Sequence, residues 1–289
     1  MSAVSRDLTK GTLYIVATPI GNLSDITFRA VEVLKEVDVI AAEDTRHSRK
    51  LLQHYGVEKP LVAFHEHNER KVAHTLIKRL SAGESIAIIS DAGTPLISDP
   101  GFSLVRIARN EGIAVKPVPG ACALVAALSV SGLATDHFVF EGFPPRTSTA
   151  RRAYFALAVE HSGTLIYYEA CHRIEACLRD MQSVFPGERH ITIARELTKA
   201  YETVVSVTLD RVLEVFDDPY MGKGEFVVLL QGCEVNSRSG PLKEHEEKLL
   251  AALLDECSLK SAVNIATKVH GLRKKTVYDA ALRMIEGRG

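Results

Sequence analysis

From Ser85 to Gly101 the chain reads SIAIISDAGTPLISDPG. A run of apolar, β-branched residues stops on Ser90-Asp91, and the next ten positions are dominated by Gly, Pro, Ser, Thr and Asp. The first part is the pattern of a buried strand, since β-branched side chains pack well on a pleated surface. The second part is much longer than the few residues that turn a hairpin. Taken alone, the segment reads either as a strand with an ordinary long turn or as a strand whose loop presents backbone N–H and C=O groups with little side-chain bulk, as the wall of a ligand pocket does.

The same rhythm recurs on either side. Short apolar runs are TLYIVA from Thr12, VDVIAA from Val37, LVAF from Leu61, IAVKPV from Ile113 and FVFEGF from Phe138. Between them lie amphipathic stretches such as FRAVEVLKE, SRKLLQHYG, KVAHTLIKRLSAG and FSLVRIARNEG, several closed by a glycine at the helix C-terminus. Alternating strand and helix predicts a mainly parallel sheet, because parallel neighbours need helical crossovers. The loops after the strands are all polar: TPIGN (Thr18 to Asn22), EDTRH (Glu43 to His47), HEHNE (His65 to Glu69), the Asp91 to Gly101 loop, and PGACA (Pro119 to Ala123). All fall at strand carboxyl ends, the edge where open α/β sheets bind ligands.

At GFPPRTSTARR two prolines and a Ser/Thr run break the pattern. The segment beyond mixes strands (TLIYYEA, HITIARE, TVVSVTL, EFVVLLQG) with a helix near His172 to Val184 and another near Asp210 to Phe216. A second polar break, GCEVNSRSGP, precedes a wholly helical tail in which Ser258 is placed to cap LKSAVNIATKV and Gly271 separates it from RKKTVYDAALRMIE. The predicted division is an α/β domain at 11–142, a second α/β domain at 143–235 and a helical basic tail at 241–289. From Ser258 onward seven Lys/Arg stand against two acids, a local excess of +5, so the tail reads as a helix-turn-helix-like unit suited to phosphate contacts or as a solvated helical cap or dimer contact.

At 289 residues the chain is long enough for about two domains. Its 46% hydrophobic and 25% charged content is that of an ordinary globular protein, and its formal net charge of −1 requires any nucleic-acid contact to come from a local patch. The five cysteines form no C-x-x-C pair, which argues against a zinc or disulfide framework. No run has the length of a membrane span and the start lacks the apolar segment of a signal peptide, so a cytoplasmic protein is expected. HEHNE lacks the i, i+4 histidine spacing of H-E-x-x-H, and no metal is expected.

The stretches TPIGNLSDITFRA, AEDTRHSRKLL, HEHNE, SDAGTPLISDPG, PGACA, EGFPPR, ARELTKAYE and KGEFVVL, which span nearly everything before the tail, resemble as a set the tetrapyrrole-methylase-like superfamily of S-adenosylmethionine-dependent methyltransferases. Within it the chain looks most like the branch that methylates a cytidine ribose in the decoding region of small-subunit ribosomal RNA. One departure is YEACHR, where that branch usually carries Ser-Pro before His-Arg. The resemblance implies a two-domain α/β tetrapyrrole-methylase-like fold (class III methyltransferase) with a C-terminal helical extension. It also implies a homodimer that binds S-adenosylmethionine between its domains and acts on 16S rRNA in the small ribosomal subunit. A G-x-G-x-x-G fingerprint is absent after the first strand, which argues against a dinucleotide enzyme.

By the same resemblance Pro19, Asp91, Gly93, Thr94, Ile97, Ser98, Cys122 and Ala123 belong to the donor pocket, joined from the second domain by Tyr168, Glu169, Glu225 and Phe226. A ribose hydroxyl is a weak nucleophile, so a proton acceptor is needed; among the acids and imidazoles on this edge Asp44 or His65 is favoured, with Asp25 a further candidate and Glu43, His47, Glu66 and His67 in the same set. RNA phosphates would meet Arg46, Arg146, Arg151, Arg152, Arg173, Lys199 and Lys223 around the cleft and Arg273, Lys274 and Lys275 in the tail. Two rivals share much of this pattern: a methyltransferase acting on carbon atoms of a tetrapyrrole, and a non-catalytic RNA-binding assembly factor.

Overall fold

A computed structural model describes residues 10–233, 242–270, 272 and 274–286. The apolar runs of the first half become β1 (Thr12–Val16), β2 (Val39–Ala42), β3 (Leu61–Ala63), β4 (Ile86–Ile89) and β5 (Ala114–Val118), in the order β3-β2-β4-β1-β5. Every pairing in this sheet is parallel. Strands β2 and β4 are buried at each position, as a sheet covered on both faces requires. Helices α1 (Phe28–Glu36) and α2 (Thr45–His54) pack Val33, Leu34 and Leu52 against Tyr14, Val16 and Ile40 on one face. On the other, α3 (Glu69–Ser81) and α4 (Phe102–Asn110) pack Leu76, Leu80 and Leu104 against Leu13, Val39 and Ile86. Period-two alternation along each strand divides its residues between these two layers.

The second sheet comprises β6 (Phe138–Gly142), β7 (Thr164–Ala170), β8 (His190–Arg195), β9 (Thr203–Thr208) and β10 (Glu225–Leu230), in the order β6-β7-β10-β8-β9. Only β6 and β7 run parallel; the rest are antiparallel. This corrects one expected boundary. Phe138–Gly142 follows the strand rhythm of the first half, yet it pairs with β7, so the crossing between domains precedes Phe138 and not Phe143. Helices α6 (Ser148–Ala158) and α7 (Ile174–Gln182) and a 3-10 segment, Leu209–Asp217, cover one face through Phe155, Leu178, Met181 and Val212.

The other face receives α5 (Ala123–Val130), whose sequence ALVAALSV is apolar on nearly every side. Leu124, Ala127 and Leu128 join Ile166, Ala194, Val227 and Leu229 in a cluster spanning both domains. Thr192 Oγ1 donates to Ser131 O at 3.0 Å just past the helix. Helix α5 therefore fixes the parallel sheet's ligand edge against the mixed sheet.

The tail is α8 (Glu244–Glu256), α9 (Leu259–His270) and α10 (Lys274–Glu286) around Leu250, Ala262, Val263, Val277 and Ala281. Ser258 Oγ accepts from Ser261 N–H at 3.3 Å, the capping role its position predicts. Gly271 and Arg273 lie outside the described residues.

Candidate active site

Backbone bonds stitch the loops at the carboxyl ends of the parallel strands together. Thr18 N–H donates to Gly93 O at 2.8 Å, and Gly93 N–H returns a bond to Thr18 O at 3.1 Å. Thr94 Oγ1 donates to Ala121 O at 3.0 Å, joining the β4 and β5 loops. Gly93 has φ +81°, a conformation that favours glycine, and a Cβ there would press on Ile20 Cγ2 at 3.3 Å. Leu96 (φ 73°) and Ser98 (φ 67°) hold left-handed conformations that cost non-glycine residues energy, and such conformations cluster where a loop must present a site. That accounts for the length of the Asp91–Gly101 loop.

Across the cleft the turn after β8 is also unusual, with Glu196 at φ 50° and Thr198 at φ 67°. It meets the β1 loop directly: a Cβ on Gly21 would fall 2.4 Å from Lys199 Cγ and 3.0 Å from Leu197 O. The Tyr168 hydroxyl, from β7, accepts from Leu124 N–H at 3.1 Å at the start of α5.

Between these walls is a cavity of 430 Å³. Asp91, Gly93, Thr94, Ile97, Ser98, Cys122, Ala123, Tyr168, Glu169, Glu225 and Phe226 all line it. Pro19 lines instead an adjoining cavity of 330 Å³. Ile20, Asp99, Phe143, Ala194 and Leu197 line the larger cavity without having been expected there, and Glu43, a proton-acceptor candidate by sequence, lines it as well. Asp99 was within reach, being an acid in the same loop as Asp91, and Phe143 sits in EGFPPR; Ala194 and Leu197 carry no chemical signal.

The two walls differ electrically. Burial pushes the Glu43 carboxyl above its usual range, and the charges of Asp99 and Asp91 push it further. Asp99 is raised chiefly by burial and also by Asp91, against a lowering hydrogen bond from Ser90. On the second wall Lys199 Nζ lies 2.8 Å from both Glu196 Oε1 and Glu225 Oε2. Burial would raise Glu196, but the hydrogen bonds from Lys199 and the Glu225 N–H outweigh it and hold that carboxyl low. Glu169, 2% exposed, has Oε2 3.3 Å from Arg173 Nη2, which also donates to Pro144 O at 2.7 Å.

Asp44, His65 and Asp25 line neither cavity. Asp44 is the N-cap of α2, with Oδ1 accepting from Arg46 N–H at 2.8 Å and from His47 N–H at 3.4 Å, and these bonds outweigh slight desolvation to hold its carboxyl low. His65 donates its N–H to Asn68 Oδ1 at 2.9 Å in the turn before α3, and Asp25 is exposed in a 3-10 turn.

The expected RNA contacts divide in the same way. Arg46, Arg146, Arg152, Lys223, Lys274 and Lys275 are exposed. Arg151 is a correction: it is 3% exposed, with Nε 2.8 Å from Asp180 Oδ2, and cannot reach a phosphate. Arg173 and Lys199 are engaged with the acids named above. Among the described residues, the one group of metal-ligating types close enough to share an ion is His245, Glu246 and His270, in the tail and lining neither cavity; the Glu246 carboxylate accepts from Lys243 N–H at 2.7 Å.

A parallel sheet whose loop edge faces a second, mixed sheet across an acid-lined cleft defines a two-domain α/β ligand-binding enzyme of the expected fold class. Residues 12–213 match the family described as Tetrapyrrole (Corrin/Porphyrin) Methylases, and the chain belongs to that family. Residues 241–284 match the RsmI C-terminal HTH domain. Proteins described as ribosomal RNA small subunit methyltransferase I are similar along the whole chain. That of Haemophilus influenzae is 49% identical, covering 97% of this chain and 99% of the relative. That of Pseudomonas aeruginosa is 50% identical over 96% and 98%, and that of Escherichia coli O157:H7 is 46% identical over 96% and 97%. Among solved structures, uroporphyrin-III-C-methyltransferase from Thermus thermophilus superposes with a TM-score of 0.56 at 19% identity, over 77% of this chain and 94% of that one. Diphthine synthase gives 0.57 at 15%, over 76% and 90%. These two share the fold.

Proposed function

We propose that this chain transfers a methyl group from S-adenosylmethionine to the ribose 2′-oxygen of a cytidine in the decoding region of small-subunit ribosomal RNA. The observation that carries this reading is end-to-end similarity, through both domains and the tail, to proteins named ribosomal RNA small subunit methyltransferase I. The cleft fits such a donor. Its volume is in the range of about 300–1,000 Å³ that small-ligand sites occupy. Burial and the neighbouring carboxylates raise Glu43 and Asp99, so the first wall carries crowded negative charge that a cationic ligand would relieve. Tyr168, Phe143 and Phe226 add flat apolar surface suited to a purine.

When bound, the donor supplies an electrophilic methyl carbon next to a sulfonium. The protein's part is to hold both reactants in line and to accept a proton. Of the acids, Asp91 and Glu225 line both cavities. Glu225 is held by Lys199, which leaves Asp91 at the junction, its Oδ1 accepting from Asp44 N–H at 3.1 Å. Asp91 therefore takes the hydroxyl proton, and Asp44 acts by capping α2 and orienting Asp91 through its N–H. The same reading makes the protein a cytoplasmic homodimer; sedimentation of the purified chain tests the dimer. Mass spectrometry of ribosomal RNA from cells lacking the protein tests the function, with loss of one ribose methyl on a small-subunit cytidine expected. An unchanged methylation map overturns it.

A further inference from the structure

The donor accounts for one cavity and leaves the adjoining one, of 330 Å³, without an occupant. The two share Ile20, Asp91, Ala92 and Glu225, so whatever fills the second abuts whatever fills the first. The outer side of the second cavity is α2, which contributes His47, Lys50 and Leu51 at spacings of three and four residues that bring side chains onto one helical face. Leu23 and Leu51 give it an apolar floor. Lys199 also lines it, packed so tightly over Gly21 that no side chain fits there.

The two lysines of this cavity are not equivalent. Lys199 bridges Glu196 and Glu225, each at 2.8 Å, and its charge is satisfied. Among the described residues the Lys50 ammonium has no ion pair or hydrogen bond, although it is exposed beside an acid-rich cleft. The cavity is thus polarised, with the Lys50 ammonium beside the His47 imidazole on α2 and the carboxylates of Asp91 and Glu225 on the shared wall. Such a site suits a ligand carrying one anionic end and one hydroxylated end, with the anion toward Lys50 and the hydroxyl toward the wall shared with the first cavity.

We propose that the second cavity is the seat of the acceptor nucleotide of a single-stranded RNA segment, with Lys50 and His47 meeting its phosphate and the sugar turned toward Asp91. The proposal rests on the methyl-transfer reading and adds where the second substrate lies. Phosphate contacts set register, and a compact cavity with an apolar floor accepts one unstacked nucleotide and excludes a duplex.

The test uses the full chain, S-adenosylhomocysteine as the donor-site probe, and small ribosomal subunits purified from cells lacking the protein as the RNA probe. For Lys50→Gln, subunit affinity is expected to fall by about tenfold, and the slope of log affinity against log salt to shrink by about one. S-adenosylhomocysteine affinity by calorimetry is expected to stay within about twofold, since the residue faces the other cavity. Lys50→Arg restores subunit binding. Lys50 is exposed, so the variants fold. Unchanged subunit affinity and salt slope in Lys50→Gln, with donor-site binding intact, overturn the seat alone. Failure of the unmodified chain to bind S-adenosylhomocysteine overturns the functional reading and the seat with it.

Discussion

Both walls of the cleft carry acids, and the two sets are neutralised differently. On the parallel-sheet side Glu43, Asp91 and Asp99 crowd together with no cation to pair them among the described residues, and burial and mutual repulsion raise Glu43 and Asp99. On the mixed-sheet side Glu169 has Arg173, and Glu196 and Glu225 share Lys199. The first wall is incomplete until something positive arrives; the second is finished as folded. The contrast teaches that acids at one cleft can serve binding on one side and architecture on the other, and that the partner, not the residue type, decides which.

The largest effect is expected where charge is architectural and buried. Arg151 Nε lies 2.8 Å from Asp180 Oδ2, with Ser148 Oγ donating to Asp180 Oδ1 at 2.7 Å, and the two charged side chains are 4% and 12% exposed. Arg151→Ala leaves the buried Asp180 with only the Ser148 hydroxyl and the half-exposed Arg152, whose Nε is 3.9 Å away, and is expected to cost about 3 kcal/mol, measured by urea unfolding. A loss smaller than about 1 kcal/mol, the value of an exposed pair, would erase the distinction between the walls' supporting domains.

On the opposite wall Asp99→Asn and Glu43→Gln each remove a charge that has no cationic partner among the described residues. Donor affinity by calorimetry is expected to fall by about tenfold, since a contact to a charged group contributes about 1.5–3 kcal/mol. The ligand-free protein should melt at a higher temperature, because the substitution also removes repulsion. Both changes must appear; weaker binding without stabilisation would make the residues ordinary hydrogen-bond partners.

The loops of the first wall were legible because Gly, Pro and Asp runs at strand ends declare their backbone needs locally. The partners were not. Arg151 reads as one more basic residue in TARR; its burial depends on Asp180, which reaches it only when α7 packs beside α6. Asp44 reads equally as acid catalyst or helix cap, and only the bonds from Arg46 and His47 N–H groups separate the two. Phe138–Gly142 looks like a sixth strand of the first sheet because its partner β7 lies further along the chain.

The pH response of stability should have opposite signs on the two walls. Glu43 and Asp99 have raised carboxyls, so the native state takes up their protons before the unfolded chain does, and the penalty they impose at neutral pH is relieved as pH falls through their folded values. Glu196 is lowered, so its contribution is present above the unfolded value of about 4.5 and is lost as pH falls through its folded value. Melting curves from pH 7 to 4 are expected to show Asp99→Asn losing part of the acid-side relief of the unmodified chain, and Glu196→Gln losing the stability that its pairing gives near neutrality. Parallel curves for all three proteins would remove the electrostatic contrast. Donor affinity should fall over the same acid range, as Glu43 and Asp99 become neutral.

The smallest effect is expected at Lys199, the cation of the finished wall. Its side chain is 27% exposed, against 18% for Glu196 and 77% for Glu225, so solvent screens much of what the pairs contribute. Lys199→Met keeps the stem that packs over Gly21 and removes only the charge. Stability should change by less than about 1 kcal/mol. The informative reading is donor binding. Freed from Lys199, Glu225 joins Asp91 as uncompensated negative charge on a wall both cavities share, and the second wall comes to resemble the first. Affinity for S-adenosylmethionine, a cation, should then rise slightly, and affinity for its neutral-sulfur product should move less. A fall for both would mean that Lys199 itself holds the ligand's carboxylate, and the division of labour between the walls would have to be redrawn with the second wall as a binding surface.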